Sequence, residues 1–488
     1  MRKVIGIAVF FTGLYLWIVW AQSFVAMDGQ RYFMIADDAL ISLRYGWNLA
    51  HHGELVFNLG DRVEGFTNLI WTLWAALLSL FLDKRFVPLA IQLTGLPLLL
   101  ITAWNFRAIS LRYVKSWDTV AFVLPLLYYP LVYWALRGME VSLQAALVSS
   151  AVRIALNGNR SYGWLLGLAY ATRPDSLVPA LVVFGFRFRR SREWLIEILP
   201  FVAIAFSILV FRLYYYGEWV PNTYTLKVVG YTLAERLSLG IDYITPFIQQ
   251  NFWLWPLLIA SLLWRPTREK LLLSGIGISM LLYVIYVGGD GLPQHWRFLS
   301  PYVPMIFLAL SLDLPYIRHR TMHVLAIAGT GSLIFLSLSL LCIYGLRGEL
   351  SYPFTEDRLN VEASIVLDNV LAEDAKIAVF FAGAYPYYTE REAVDCLGKS
   401  EKYVARLKPD PNFLAIGHSK FDLDYCILQS NADAVRLLWW PNRSDELPKG
   451  ELIFQGVWLN LSGTDFYFYF RKNSPHVDWS KLEQYSVQ

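Results

Sequence analysis

The sequence predicts a polytopic α-helical membrane protein with an α/β domain at its C-terminus, and three observations carry that prediction. The 488-residue chain is 56% hydrophobic and 16% aromatic, with a mean hydropathy of +0.41, too oily for a soluble protein of this size. Apolar runs near the ~20 residues needed to cross the hydrocarbon core recur from residue 4 to residue 345. Beyond 345 they give way to short alternating and helical stretches of an aqueous domain. The formal net charge of +3 is too small to point to nucleic acid, and Lys and Arg fall in short clusters between apolar runs, where they report topology.

Met1-Arg2-Lys3 and the apolar run to Trp20 have the form of a signal peptide, with Ala21-Gln22-Ser23 as a small-residue exit. The many runs that follow favour an uncleaved first helix with a cytoplasmic N-terminus. Spans are expected at 4–22, 86–106, 118–135, 140–157, 161–172, 176–187, 194–213, 245–263, 271–287, 302–316 and 321–345, about 11 in all, plus juxtamembrane helices. Between 161–172 and 176–187 lies Thr172-Arg173-Pro174-Asp175, where proline removes a donor and ends the helix. The pair reads as a hairpin with a polar tip, tolerable at membrane depth only inside protein or beside a water-filled cavity.

The run 66–82 decides the sidedness. Counted as a span, it would put Arg187, Arg189, Arg190 and Arg192 outside. Laid along the outer interface, it leaves that cluster, Arg107/Arg112/Lys115, Arg160, Arg265/Arg268/Lys270 and Arg318/Arg320 all cytoplasmic, as the positive-inside rule requires. The division that follows is a transmembrane part at 1–345, with a first outer loop at 23–85, and an extracytoplasmic domain at 346–488.

The unusual polar groups then collect outside. Asp37 and Asp38 open a stretch in which Leu40, Leu43, Trp47 and Ala50 recur at helical spacing, an amphipathic helix for the interface. One carboxylate can be its N-cap; the other is then free to face a cavity, and Asp38 is assigned that role with Asp37 as the cap. Arg44 and Arg62 either snorkel to headgroups or bind phosphate. Arg173 at the hairpin tip points to function, and Glu140 is a ligand or a dipole partner of the helix it opens. Asp290 lies in a GGDG turn that welcomes aspartate for local reasons, but His295 and Arg297 follow closely. His51-His52 are loop residues, and no Cys/His spacing suits zinc. Neither a phosphate-cradling glycine motif nor a nucleophile elbow occurs, so no motif points to serine hydrolysis. Most of the aromatic residues suit interfacial belts.

The run DDALISLRYGWNLAHHGELVFNLGDRVEGFTNLIW (Asp37–Trp71) resembles the first outer loop of the bacterial membrane arabinofuranosyltransferases, the family of the mycobacterial terminal β-(1→2) enzymes within the GT-C superfamily. RGME, TRPD, YYYGEWVPNT, VGGDGLPQHWRFLSP, GAYPYYTEREAVDCLGKSEKYVARL and GHSKFDLDY are similar to that family in content and order. Leu59 and Asp61 stand where a more typical loop has proline and glutamate. The resemblance implies a GT-C fold and transfer of a sugar, D-arabinofuranose, from a polyprenyl-phosphate donor to a glycan, lipid or protein acceptor. The setting it implies is the outer face of the bacterial cytoplasmic membrane, with an acidic residue of the first loop at the centre. The residues agree in kind, since such transfer needs a carboxylate and cations near the leaving phosphate. Asp38 or Asp37 fills the first role. The pool for donor phosphate and sugar is Arg44, Arg62, Arg137, Glu140, Arg173, Asp290, His295 and Arg297. A phosphate leaving group needs no metal, and none is expected, nor any cofactor. A transferase for mannose or aminoarabinose and a lipid-linked sugar transporter are the alternatives; the transporter would place charges at mid-membrane and show inverted repeats.

In the tail, strands are expected at Lys376–Phe381, Leu452–Leu459 and Phe466–Phe470, and helices near Val361–Leu371 and Ala432–Leu438. The domain holds acceptor, caps the cavity or is a structural lid. Cys396 and Cys426 lie in it, and a disulfide between them is permitted outside the membrane.

Overall fold

The computed structural model describes residues 1–188, 192–290, 295–316, 336–347, 356–436 and 453–486. Arg189 and Arg190, Arg318 and Arg320, and most of the span expected at 321–345 lie outside the described residues. In chain order the helices are α1 (Arg2–Ala21), α2 (Asp37–His52), α3 (Leu69–Ser79), α4 (Val87–Tyr113), α5 (Asp118–Leu126), α6 (Tyr129–Leu136), α7 (Val141–Leu156), α8 (Tyr162–Thr172) and α9 (Leu177–Arg187). They continue as α10 (Arg192–Tyr216), α11 (Asn222–Val228), α12 (Leu233–Gln250), α13 (Leu254–Trp264), α14 (Arg268–Val287), α15 (Val303–Ser311) and α16 (Leu336–Arg347), and the tail carries α17 (Asp357–Val370) and α18 (Ala384–Thr389).

Among the described residues, four helical segments are long and apolar enough to cross a membrane: α1, Lys84–Tyr113, Glu193–Tyr216 and α14. This is a multi-pass membrane protein. The expected span 118–135 is broken into α5 and α6, bent by 47°, where Pro130 in the first turn of α6 cannot continue the hydrogen-bond ladder from α5. The expected span 245–263 is likewise divided between α12 and α13. α12 starts upstream at Leu233, fixed by a Thr232/Glu235 capping box. α3, at 11 residues, is about 16 Å long and too short to cross. Among the described residues, segments long and apolar enough to cross therefore number four, or five if the bent α5–α6 pair is one span.

α2 departs from its expected place in the lipid interface. Leu40, Leu43, Arg44 and Tyr45 are all buried, because the helix is packed between α3 and α18 of the tail. The hairpin tip is as expected: Arg173 is extended (φ −156°, ψ 127°), as a residue before proline prefers, and Pro174 opens the turn into α9.

After a two-stranded ribbon, β1 (Phe24–Val25) and β2 (Arg31–Tyr32), the tail builds one five-stranded mixed sheet from β3 (Lys376–Val379), β4 (Glu392–Asp395), β5 (Ala434–Val435), β6 (Phe454–Leu461) and β7 (Thr464–Arg471), in the order β4-β3-β5-β7-β6. β3 is parallel to β4 and β5, while β5–β7 and β6–β7 are antiparallel. Phe466, Phe468 and Phe470 alternate into the core with the period of two of a strand. The helix expected at 432–438 is instead β5, with 437–438 outside the described residues. Val435 pairs with Ala378 on one side and Tyr469 on the other, and such a short apolar run does not reveal its partners in advance. Cys396 and Cys426 are buried in one apolar cluster as unbridged thiols.

Candidate active site

A cavity of about 690 Å³ opens where the first loop (residues 23–85), the α8–α9 tip, α10, α11, the loop after α14 and the tail converge. Asp38, Glu140, Arg173, Asp290 and Arg297 line it, so five residues from distant parts of the chain share one space. Arg44, Arg62, His295 and Asp37 are absent from its wall. Arg44 is buried and donates to the carbonyls of Phe57 and Glu390. Arg62 lies at the surface over the Tyr215 ring. The His295 ring packs 4.2 Å from that of Tyr133, and its carbonyl accepts from Trp134 Nε1. Leu59 and Asp61 are likewise surface residues.

Asp37 is not the cap of its own helix: the N-cap is Ala36, with no side-chain cap bond. Its carboxylate accepts the N–H groups of Gly383 and Ala384 at 2.9 and 2.8 Å, capping α18 of the tail. Asp38 faces the cavity, its side chain 34% exposed. Arg297 Nη1 donates to its Oδ2 at 2.8 Å and Lys399 Nζ to its Oδ1 at 2.5 Å. Burial pushes this carboxylate up, but Lys399 and Arg297 outweigh burial and hold it well below the usual range. Arg297 also binds Asp290 at 2.8 Å, and Lys227 Nζ lies 3.3 Å from the other Asp290 oxygen. Asp290 is thus tied to the ionic network and is more than a turn residue.

Deeper in the wall, Arg173 Nη1 binds Glu140 at 2.6 Å and its Nε and Nη2 reach Asp175 at 3.0 and 2.9 Å. Asn68 donates to the second Glu140 oxygen, and Gln144 donates to Asp175. Glu140 makes no cap bond to α7; its work is to hold Arg173 and Asn68. Arg137, by contrast, is fully buried and paired with Asp357 of α17, tying the α6–α7 corner to the tail.

Lys227, Lys399 and His418 also line the cavity, with no motif of their own to mark them in the sequence. The last two fall in the segments GKSEKY and GHSK, so the family-like stretches of the tail were the one available signal. Burial first, and Lys399 second, push His418 down to about 4. Its Nδ1 lies 3.2 Å from the Ile416 carbonyl, which can only accept; the proton therefore sits on Nδ1 and Nε2 carries the lone pair.

The opposite wall is apolar. Phe201, Val202, Ala205, Phe206 and Leu209 of α10 form a stripe at helical spacing, about 12 Å long. Val202 and Phe206 are exposed on the outer surface of this span.

The described architecture superposes on ArnT from Cupriavidus metallidurans in the apo state with a TM-score of 0.54, covering 96% of this chain and 98% of that one at 12% identity. The fold is that of ArnT. A structure of ArnT bound to undecaprenyl phosphate gives 0.52, over 80% of this chain and 86% of that one, also at 12% identity. In sequence, the chain is 26% identical over 340 residues to the terminal β-(1→2)-arabinofuranosyltransferase of Corynebacterium glutamicum, covering 57% of this chain and 48% of that protein. It is 27% identical over 253 residues to the enzyme of the same name from Mycobacterium tuberculosis, covering 46% and 39%. The match thus spans about half or less of the length of these relatives. Residues 351–471 match a domain of unknown function, DUF8728.

Proposed function

We propose that this chain is a membrane glycosyltransferase that moves a sugar, D-arabinofuranose, from a polyprenyl-phosphate donor to an acceptor at the outer face of the cytoplasmic membrane. The observation that carries the proposal is the continuity of the cavity: a charged end at Asp38, Arg297 and Lys227 joins an apolar stripe on α10 whose Val202 and Phe206 are exposed on the surface of that apolar span. A polyprenyl phosphate has these two halves. The names of the sequence relatives supply the sugar, and the ArnT structure with undecaprenyl phosphate favours the carrier.

In the proposed reaction the acceptor hydroxyl oxygen attacks the anomeric carbon, the bond from that carbon to the phosphate oxygen breaks, and the phosphate leaves with the electron pair. Arg297 and Lys227 face the charge that develops on it. Asp38 takes the hydroxyl proton or stabilises the oxocarbenium-like centre. A phosphate drawing on Arg297 loosens the hold on Asp38, so donor binding itself raises its basicity. Residues 1–345 form the catalytic part in this reading, and the tail lies on the outer side.

The test is incubation of the purified protein in lipid nanodiscs with polyprenyl-phosphate arabinofuranose, mannose and aminoarabinose and an oligosaccharide acceptor. Release of polyprenyl phosphate from the arabinose donor is expected, and it should fall at least about a hundredfold in a well-folded Asp38→Asn, the scale of losing a positioned acid–base group. Parental activity in that variant overturns the role of Asp38; turnover of another donor alone overturns the sugar.

A further inference from the structure

Two stretches of the tail meet the Asp37-Asp38 pair at one place. Asp37 grips the backbone at Gly383 and Ala384, and Asp38 receives the Lys399 ammonium. Both approaches are too close for a side chain. A Cβ on Gly383 would lie 2.0 Å from the Asp37 carbonyl oxygen, and one on Gly65 of the first loop would lie 2.3 Å from Ser400 Oγ and 2.9 Å from the Lys399 carbonyl oxygen. Glycine is required at each position because first loop and tail touch there backbone to backbone.

The Lys399 turn is also held from two further sides. The Asp395 carboxylate accepts from the N–H groups of Leu397, Gly398 and Ser400 at 3.0, 3.2 and 2.7 Å. From α11, Asn222 Nδ2 donates to the carbonyls of Gly398 and Lys399 at 2.9 and 3.1 Å. Ordering a lysine costs rotamer entropy, and a solvated surface turn needs none of these bonds. Here they aim one ammonium at one carboxylate inside the cavity.

The geometry points to the tail as a working part of the transfer site: docked through Asp37, it supplies Lys399 as a positioning residue that, opposite Arg297, orients the Asp38 carboxylate. This rests on the glycosyltransferase reading above for its chemistry, while the docking stands on contacts alone. Arg297 and Lys399 touch Asp38, and Asp37, Asp290 and His418 are the next charged or titratable groups around it.

The experiment uses the full chain in nanodiscs, with Lys399→Met, Lys399→Arg and Asp37→Asn. Lys399→Met is expected to let the Asp38 carboxyl rise toward the usual carboxylate range, so that kcat/KM falls off on acidification at a higher pH than in the parent. It should lower kcat more than it alters KM, and Lys399→Arg should restore both. Asp37→Asn keeps one acceptor oxygen of two, so the amides of Gly383 and Ala384 should exchange hydrogen for deuterium faster, independently of any activity. Lys399→Met with the parental rate and acid limb, or Asp37→Asn with parental exchange at both amides, overturns the inference. A parent protein that transfers from no donor defeats the proposed function instead, and the exchange measurement then decides the docking alone.

Discussion

Asp37 and Asp38 are adjacent in the chain, yet their carboxylates are driven in opposite directions. Burial, against the N–H of Ala384 and with Asp38 beside it, pushes Asp37 up to about 6, while Lys399 and Arg297 override burial at Asp38 and hold it ionised. One carboxylate binds backbone and its neighbour binds two cations, a division of the kind that separates supporting from reacting groups.

The pH dependence of stability follows from Asp37 and His418, whose contributions oppose each other. The folded value of Asp37 is raised to about 6, so its contribution is present below the unfolded value near 4 and is lost as pH rises through 6. The folded value of His418 is depressed to about 4, so its contribution is present above the unfolded value near 6.5 and is lost as pH falls through 4. Between pH 4 and 6 the two slopes cancel. Asp37→Asn should make the thermal midpoint drop more steeply on acidification across this window, and His418→Asn should make it drop less or rise. Parallel curves for parent and both variants would refute the assignment.

Arg297 bridges Asp38 and Asp290, whereas Arg62 rests on Tyr215 at the surface. Arg297→Ala is expected to cut transfer by about 10²–10³-fold, the scale for losing a donor aimed at developing charge. Arg62→Ala should leave it within about twofold, since its contacts are screened by water. Steady-state rates of the two variants at one donor concentration decide between them.

Arg173 satisfies Glu140 and Asp175 together in a buried wall of the cavity. Arg173→Ala strands two carboxylates and should destabilise the protein by about 3–5 kcal/mol, the cost of breaking a buried pair from one side. Arg173→Met combined with Glu140→Gln and Asp175→Asn should recover part of that loss. Thermal midpoints in detergent give the comparison, and a fully stable Arg173→Ala would show the network to be solvated.

The sidedness inferred from the arginine clusters is checked by thiol labelling of intact cells. In a background without native cysteines, Arg189→Cys should be shielded from an impermeant reagent. Trp219→Cys, at a position 70% exposed in the loop before α11, should react. Labelling at 189 would reverse the assigned orientation.

Local chemistry made part of this protein readable from sequence. Apolar runs announced the membrane because lipid tolerates little else, Pro174 broke the α8–α9 hairpin because it lacks a donor, and the family-like first loop drew attention to Asp38. Glu140, Arg173, Asp290 and Arg297 could be picked because charges beside apolar spans are costly to keep. Local pattern could not say which of the chosen arginines would face the cavity, and packing turned Arg44 inward and left Arg62 outside. Nor could it pair Asp38 with Lys399, 361 positions away, or send Asp37 to cap a tail helix in place of its own. An ion pair has no sequence spacing, and its partner is chosen only when two surfaces fold against each other. The tail's place in the site was therefore decided by tertiary structure, through backbones that meet at Gly65 and Gly383 too closely to admit a side chain.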